Sequence, residues 1–230
     1  MTARATATAL HLAAPIGDLE LLVQSSGGVL GGSLSVPVEA RGLVIFAHGS
    51  GSGRHSIRNR QVASDLVARG FGTLLFDLLT PSEEAIDAAR GHLRFDIPLL
   101  AHRLMEVTDW VTKQELTSEL PIGYFGASTG AGAALMTAAE RPSLVKAVVS
   151  RGGRPDLAGS ALRRVQAPTL LIVGGADTEV LTLNRIALVQ LGGESALEVI
   201  SGATHLFPEP GALERVSDLA GMWFTRFLHT

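Results

Sequence analysis

Three glycine-containing loops of this chain hold residue types that together can break an acyl bond. The stretch Gly126-Ala127-Ser128-Thr129-Gly130 fits the pattern GxSxG, follows an apolar run at 121–125 and opens a segment of small residues, AGAALMTAAE. A strand that turns sharply into a helix holds such a serine in a strained backbone conformation. Small residues two before and two after it let strand and helix approach each other. The serine can also be read as a simple helix cap, but its place between strand and helix favours a nucleophile. A serine hydroxyl is a poor nucleophile at neutral pH unless a base takes its proton and an acid orients that base. Both partners are present downstream: Asp177 in GGADTEV and His205 in GATHLF, each just after an apolar run, in the chain order Ser, Asp, His.

A fourth loop, in LVIFAHGSGSGRHS at 43–56, resembles a phosphate cradle. A strand, a Gly-rich loop, a helix and a later carboxylate, Asp77, would suit a dinucleotide fold. The detail fails, because Arg54 stands where the third glycine of GxGxxG is needed. Gly49 and Gly53 are also one residue too close for a Walker loop, and Arg54 replaces its lysine.

These loops need a scaffold that brings them to one rim. Strand candidates lie at 19–24, 28–37, 42–48, 72–78, 121–126, 144–150, 168–175 and 195–201. The runs at 43–46, 74–76 and 170–173 are almost wholly apolar, as in parallel strands covered on both faces, whereas 19–37 reads as an antiparallel hairpin around Gly27-Gly28. Helical patterns cover about 58–69, 96–114, 129–140, 179–191 and 211–228; Asp96 suits an N-cap and Pro98 a first turn. The expectation is a single α/β domain over 1–230, with an eight-stranded, mostly parallel twisted sheet, an antiparallel N-terminal hairpin and helices on both faces. Ligands of such sheets bind beyond the carboxyl ends of the strands.

With HGSGSG after the third strand, GASTG at the serine, GGADTEV around the acid and GATHLF around the histidine, the chain resembles the α/β-hydrolase superfamily over nearly its whole length. Its small size and lack of a large cap are similar to the compact dienelactone hydrolase-like branch. Enzymes named for that activity use cysteine where this chain has Ser128, which points to a general serine ester hydrolase. The segments SGRHSIRNRQVA and LLFDLLT also resemble hydrolase domains fused to phosphoribosyltransferases. The resemblance implies an oxyanion hole from the backbone N–H groups of Ser50 and Thr129, which explains the phosphate-loop look of 49–53: both jobs present N–H groups to negative charge. It also leaves an alternative acid, Asp156 in RGGRPDL, whose competing role is to cap a short helix; Asp177 is the assignment adopted.

Arginines flank two of the rim loops: Arg54 and Arg58 beyond the oxyanion loop, Arg151 and Arg154 after the sixth strand. Arg54 and Arg151 are candidate substrate-binding residues. Arg151 above all, at the end of an apolar strand, suits a carboxylate or phosphate held by paired hydrogen bonds. Against this, Arg58 suits a solvated helix face and Arg154 a pair with Asp156.

Composition narrows the functions further. The net charge is -3 and the pI about 6.2, which gives no reason to expect nucleic acid or an anionic membrane as partner. With no cysteine there is no disulfide, thiolate metal site or cysteine nucleophile. His48 reads as a structural hydrogen-bonding residue, and His11, His55, His92, His102 and His229 show no metal-ligand spacing, so neither metal nor cofactor is expected. Residues 1–18 lack the sustained apolar stretch of a targeting segment, and no run nears the ~20 residues of a membrane helix, so a cytoplasmic location is the default. The expected partner is a small-molecule ester, with the chain a monomer or homodimer. An acyltransferase or peptidase using the same triad, or a non-catalytic binding domain on this scaffold, are the alternatives.

Overall fold

The structure, a computed structural model, describes residues 16–228. Most of the stretch weighed as a targeting segment, His11 included, and His229 lie outside the described residues. Strands β1 (Ile16–Ser25) and β2 (Gly28–Val36) form the antiparallel hairpin, closing at Ser25 opposite Gly28. The remaining strands are β3 (Leu43–Ala47), β4 (Gly72–Phe76), β5 (Ile122–Ala127), β6 (Val145–Arg151), β7 (Thr169–Gly174) and β8 (Ser195–Ile200). They join the hairpin in one eight-stranded sheet of order β1-β2-β4-β3-β5-β6-β7-β8. β2 meets β4 antiparallel, and every pairing from β4 to β8 is parallel.

The apolar runs follow from this topology. All five residues of β3 are buried, with Leu43, Ile45 and Ala47 facing one core and Val44 and Phe46 the other. The first core is closed by α3 (Ile97–Val111) and α4 (Thr129–Glu140), the second by α1 (Ile57–Ala68) and α6 (Ala212–Phe227). With apolar neighbours on both faces, a strand has no reason to alternate with polar residues. The helices α2 (Pro81–Arg90) and α5 (Thr178–Leu188) complete the set, with 3-10 segments at Leu93–Phe95 and Pro155–Arg164. Asp96 caps α3 as expected, its carboxylate accepting the Leu99 N–H at 3.1 Å.

From β3 the chain passes to β4 on one side, whereas β5 lies on its other side. The strand order therefore reverses between β3 and β5, and their carboxyl ends open a crevice there. The loops at 48–53 and 128–130 both begin at that crevice.

Candidate active site

Ser128 ends the central strand β5 in a conformation that side chains avoid, with φ 49° and ψ -122°. Such a residue costs about 1–3 kcal/mol and persists only where its surroundings enforce it. Here they do. A Cβ on Gly126 would sit 2.5 Å from the Ala131 Cα, and one on Gly130 would sit 2.2 Å from the Ala47 carbonyl oxygen. Only glycine at these two positions lets α4 rise so close to β3 and β5. The turn is fixed from below by the Ser128 N–H, which donates to the Arg151 carbonyl at 3.3 Å, and by the Ser128 carbonyl, which accepts the Arg154 N–H at 2.9 Å.

His205 and Asp177 meet at the ends of β8 and β7, with His205 Nδ1 2.6 Å from Asp177 Oδ2. Nδ1 therefore carries the proton donated to the carboxylate, which leaves the Nε2 lone pair free as a base. The Asp177 side chain is 15% exposed and that of His205 38%, so the carboxylate is sheltered and the imidazole is partly open to solvent. The histidine loop packs on the end of β6: a Cβ on Gly152 would come within 2.9 Å of the His205 carbonyl oxygen and 3.6 Å of its Nδ1. Gly152 follows Arg151, whose carbonyl holds the Ser128 N–H, so the serine and histidine loops share one support.

The two residues assigned to an oxyanion hole are also in contact, since the Ser50 N–H donates to the Thr129 hydroxyl at 2.9 Å. Thr129 opens α4, where the helix supplies no acceptor for its backbone N–H. His48 is structural, as expected. Its Nε2 accepts the Leu78 N–H at 3.0 Å, and its Nδ1 lies 2.9 Å from the Gly49 carbonyl. Burial holds its pKa below the ordinary value, although Gly49 and the charge of Asp77 pull the other way.

The arginines divide. Arg54 is taken up within the protein, its backbone N–H and guanidinium both on Asp77 and its Nε 3.5 Å from Glu20, rather than reaching toward a substrate. Arg154 makes a two-fold pair with Asp156 at 2.8–2.9 Å. The expected capping role of Asp156 is not seen, because its carboxylate is turned back onto Arg154 and the 3-10 segment it opens has no side-chain cap. Arg151 does not stand open in the crevice: it is 6% exposed, with Nη2 3.3 Å from Asn59 Oδ1 of α1. Residue reasoning overlooked Asn59, a buried polar side chain whose only signal was an uncapped amide in an apolar helix face. Among the described residues, no cluster of His, Asp and Glu could hold a metal ion.

An alpha/beta hydrolase domain model matches residues 40–218. The chain belongs to the alpha/beta hydrolase family. This hydrolase is 56% identical to a dienelactone hydrolase from Anabaena variabilis, with a TM-score of 0.91 over 94% of this chain and 99% of that one. It shares its fold with a serine hydrolase without lid from Xanthomonas campestris at 20% identity, TM-score 0.75, covering 94% and 97% of the two chains. It is also 58% identical over 210 residues to a Mycobacterium tuberculosis protein named "Putative phosphoribosyl transferase". That match covers 91% of this hydrolase and 46% of the relative, so the chain spans about half the length of the curated relatives it matches. No helix among the described residues is long and apolar enough to cross a membrane.

Proposed function

We propose that this hydrolase cleaves a small carboxylic ester or lactone through an acyl-Ser128 intermediate. The observation that carries this reading is the 2.6 Å contact between His205 and Asp177, with the histidine loop resting on the same end of β6 that holds the strained turn at Ser128. Ser128 Oγ attacks the carbonyl carbon as His205 Nε2 takes its proton, and Asp177 stabilises the imidazolium. The carbonyl oxygen gains the charge, which the Thr129 N–H receives together with the Ser50 N–H, the latter turning to it from the Thr129 hydroxyl that accepts it in the free protein. Collapse expels the alcohol, protonated by His205; water then attacks the acyl-serine with His205 again as base, the bond to Ser128 Oγ breaks, the acid leaves and His205 returns the proton to Oγ.

A cavity of about 220 Å³ beside the oxyanion loop, bounded by Ser50, Leu78, Leu79, Glu84, Arg94 and Leu100, suits a small acyl or alcohol group of mixed polarity. The name carried by the curated relatives belongs to chains about twice as long, and leaves in them a second unit to which a transferase activity can belong. Incubation with a fluorophosphonate, read by mass spectrometry, is expected to add one label on the peptide containing Ser128. Ser128→Ala is expected to lose the label and to lower kcat on a short p-nitrophenyl ester about 10⁴-fold or more. Full turnover by that variant overturns the reading.

A further inference from the structure

Beside Ser128 and His205 lie two cations with no ion-pair partner among the described residues. Arg151 is 6% exposed, yet its single polar contact is the neutral Asn59 amide oxygen, and its Nε–H is buried with no acceptor. Arg58, in the first turn of α1, also has a buried Nε–H with no acceptor. Among the described residues, neither arginine has an ion-pair partner. Of the acids nearby, Asp77 binds Arg54, and Glu209 Oε1 accepts both the N–H and the hydroxyl of Thr204; Glu209 Oε2 is buried without a partner and lines, with Glu214, a cavity that Arg58 borders, yet among the described residues neither carboxylate reaches ion-pair distance of either arginine. The first turn of α1, whose helix dipole adds positive potential, holds no acidic residue. Burial, and then the charge of Arg58, bring the Arg151 pKa down to about 10, which still leaves it charged at neutral pH.

Burying a cation without a counter-charge is costly, and placing a second cation beside it adds to the cost. Proteins rarely keep such an arrangement for structure alone, because an apolar side chain of similar volume would fill the space at no electrostatic cost. The arrangement becomes favourable when an anion arrives. A single carboxylate would neutralise one of the two charges, whereas a phosphomonoester carries close to two and offers three acceptor oxygens for guanidinium N–H groups.

The place relates the pair to the reaction. Arg151 lies opposite Ala127 in the β5–β6 pairing, one residue before Ser128, and its own carbonyl receives the Ser128 N–H. Arg58 borders open space on both sides of the α1 N-terminus, including a cavity of about 250 Å³ toward Phe207 and Glu209 of the histidine loop. We infer that Arg58 and Arg151 form a subsite for a phosphoryl group carried by the ester substrate, on the α1 side of the Ser128–His205 crevice. The inference rests on the ester-hydrolase reading for the attacked bond, and on the two arginines alone for the phosphoryl group.

Two measurements on the full chain keep these apart. In the first, inorganic phosphate is titrated at constant ionic strength and the Tm is read. The wild type is expected to gain several degrees, while Arg151→Met and Arg58→Met lose the gain and Arg226→Gln, a distant exposed arginine, keeps it. In the absence of phosphate, Arg151→Met is expected to melt no lower than wild type, since it removes an uncompensated charge; a structural arginine would lower the Tm. Should Arg151→Met fail to fold, the half-buried Arg58→Met and the charge-keeping Arg151→Lys carry the comparison. In the second, kcat/KM is compared for three esters of one acyl size bearing a neutral, a carboxylate or a phosphate group. The phosphate ester is expected to be favoured at least tenfold over the neutral one, and either arginine-to-methionine change is expected to collapse that ratio. Equal loss on all three esters, a preference for the carboxylate, or no phosphate-dependent rise in Tm overturns the subsite. Phosphate binding that depends on both arginines, in a protein that cleaves no ester, supports the subsite and removes the ester reading instead.

Discussion

Asp177 and Asp156 are chemically identical and sit on neighbouring strand-end loops, so only their partners tell them apart. Asp177 holds His205 Nδ1, whereas Asp156 spends both oxygens on Arg154. Asp177→Asn is expected to lower kcat by about 10⁴, because an amide in that position favours the wrong imidazole tautomer. Asp156→Asn breaks only a partly exposed ion pair, so its stability cost is expected to stay within about 1 kcal/mol and its kcat near wild type. Steady-state kinetics and urea melts on the two variants check the contrast. His48 gives a second test. It is buried neutral between the Leu78 N–H and the Gly49 carbonyl, with a pKa lowered from 6.5. Below pH 6.5 the unfolded chain binds a proton that the folded chain resists, so this contribution to stability is complete above 6.5 and is lost as the pH falls toward the lower folded pKa. Chemical denaturation at stepped pH is expected to show that decline, and NMR of the His48 ring should place its titration below that of an exposed histidine.

The parallel strands and five of the six helices of the described residues were legible because their signals are local: apolar runs for strands sandwiched between layers, helical spacing for one-sided helices. The strained turn at Ser128 was legible for a related reason, since a strand-turn-helix serine needs small neighbours that can be seen in GASTG. Helix α2 is not among the helical patterns that the sequence shows. Its sequence, PSEEAIDAAR, has no apolar stripe; its one buried residue is Asp87, held by Arg94, and Ile86 is half exposed. What specifies it lies at its ends. Thr80 and Glu83 form a reciprocal capping box, Pro81 begins the first turn and Gly91 ends the helix with φ 65°. The burial of Arg151 was also hidden, because whether a strand-end side chain enters the crevice or turns under a helix depends on α1, a partner about 90 residues away in sequence. If the capping box carries α2, Thr80→Ala is expected to lower the unfolding free energy by about 1 kcal/mol, read as a shift of the urea midpoint with unchanged slope. An unaltered midpoint would mean that the Arg103 pairs with Glu83 and Glu106 hold the helix without help.

The arrangement of helices around the rim decides what size of substrate the whole molecule accepts. Between β6 and β7 the chain spends its residues on a 3-10 segment packed against α4, not on a helical cap. Helix α2 places Glu84 and Asp87 along the cavity beside the oxyanion loop, where a lid for long acyl chains would need apolar residues. That cavity, about 220 Å³, is below the roughly 300–1,000 Å³ typical of drug-sized ligands. An acyl chain that outgrows it must lie on the polar, charged surface of α2 or in the neighbouring cavity of about 540 Å³, bordered by Arg54, His55, Arg58, Asp77 and Glu84, and gains little from leaving water, so each added methylene loses most of its usual ~0.8 kcal/mol of transfer energy. The value of kcat/KM on p-nitrophenyl esters is therefore expected to peak at short acyl groups and to fall at least tenfold by eight carbons. With no lid among the described residues to be displaced by an interface, the rate should also pass smoothly through the concentration at which the ester forms micelles. Rising activity with chain length, or a jump at that threshold, would require α2 to swing away and expose an apolar floor, which hydrogen exchange across 81–90 with and without a long-chain inhibitor would reveal.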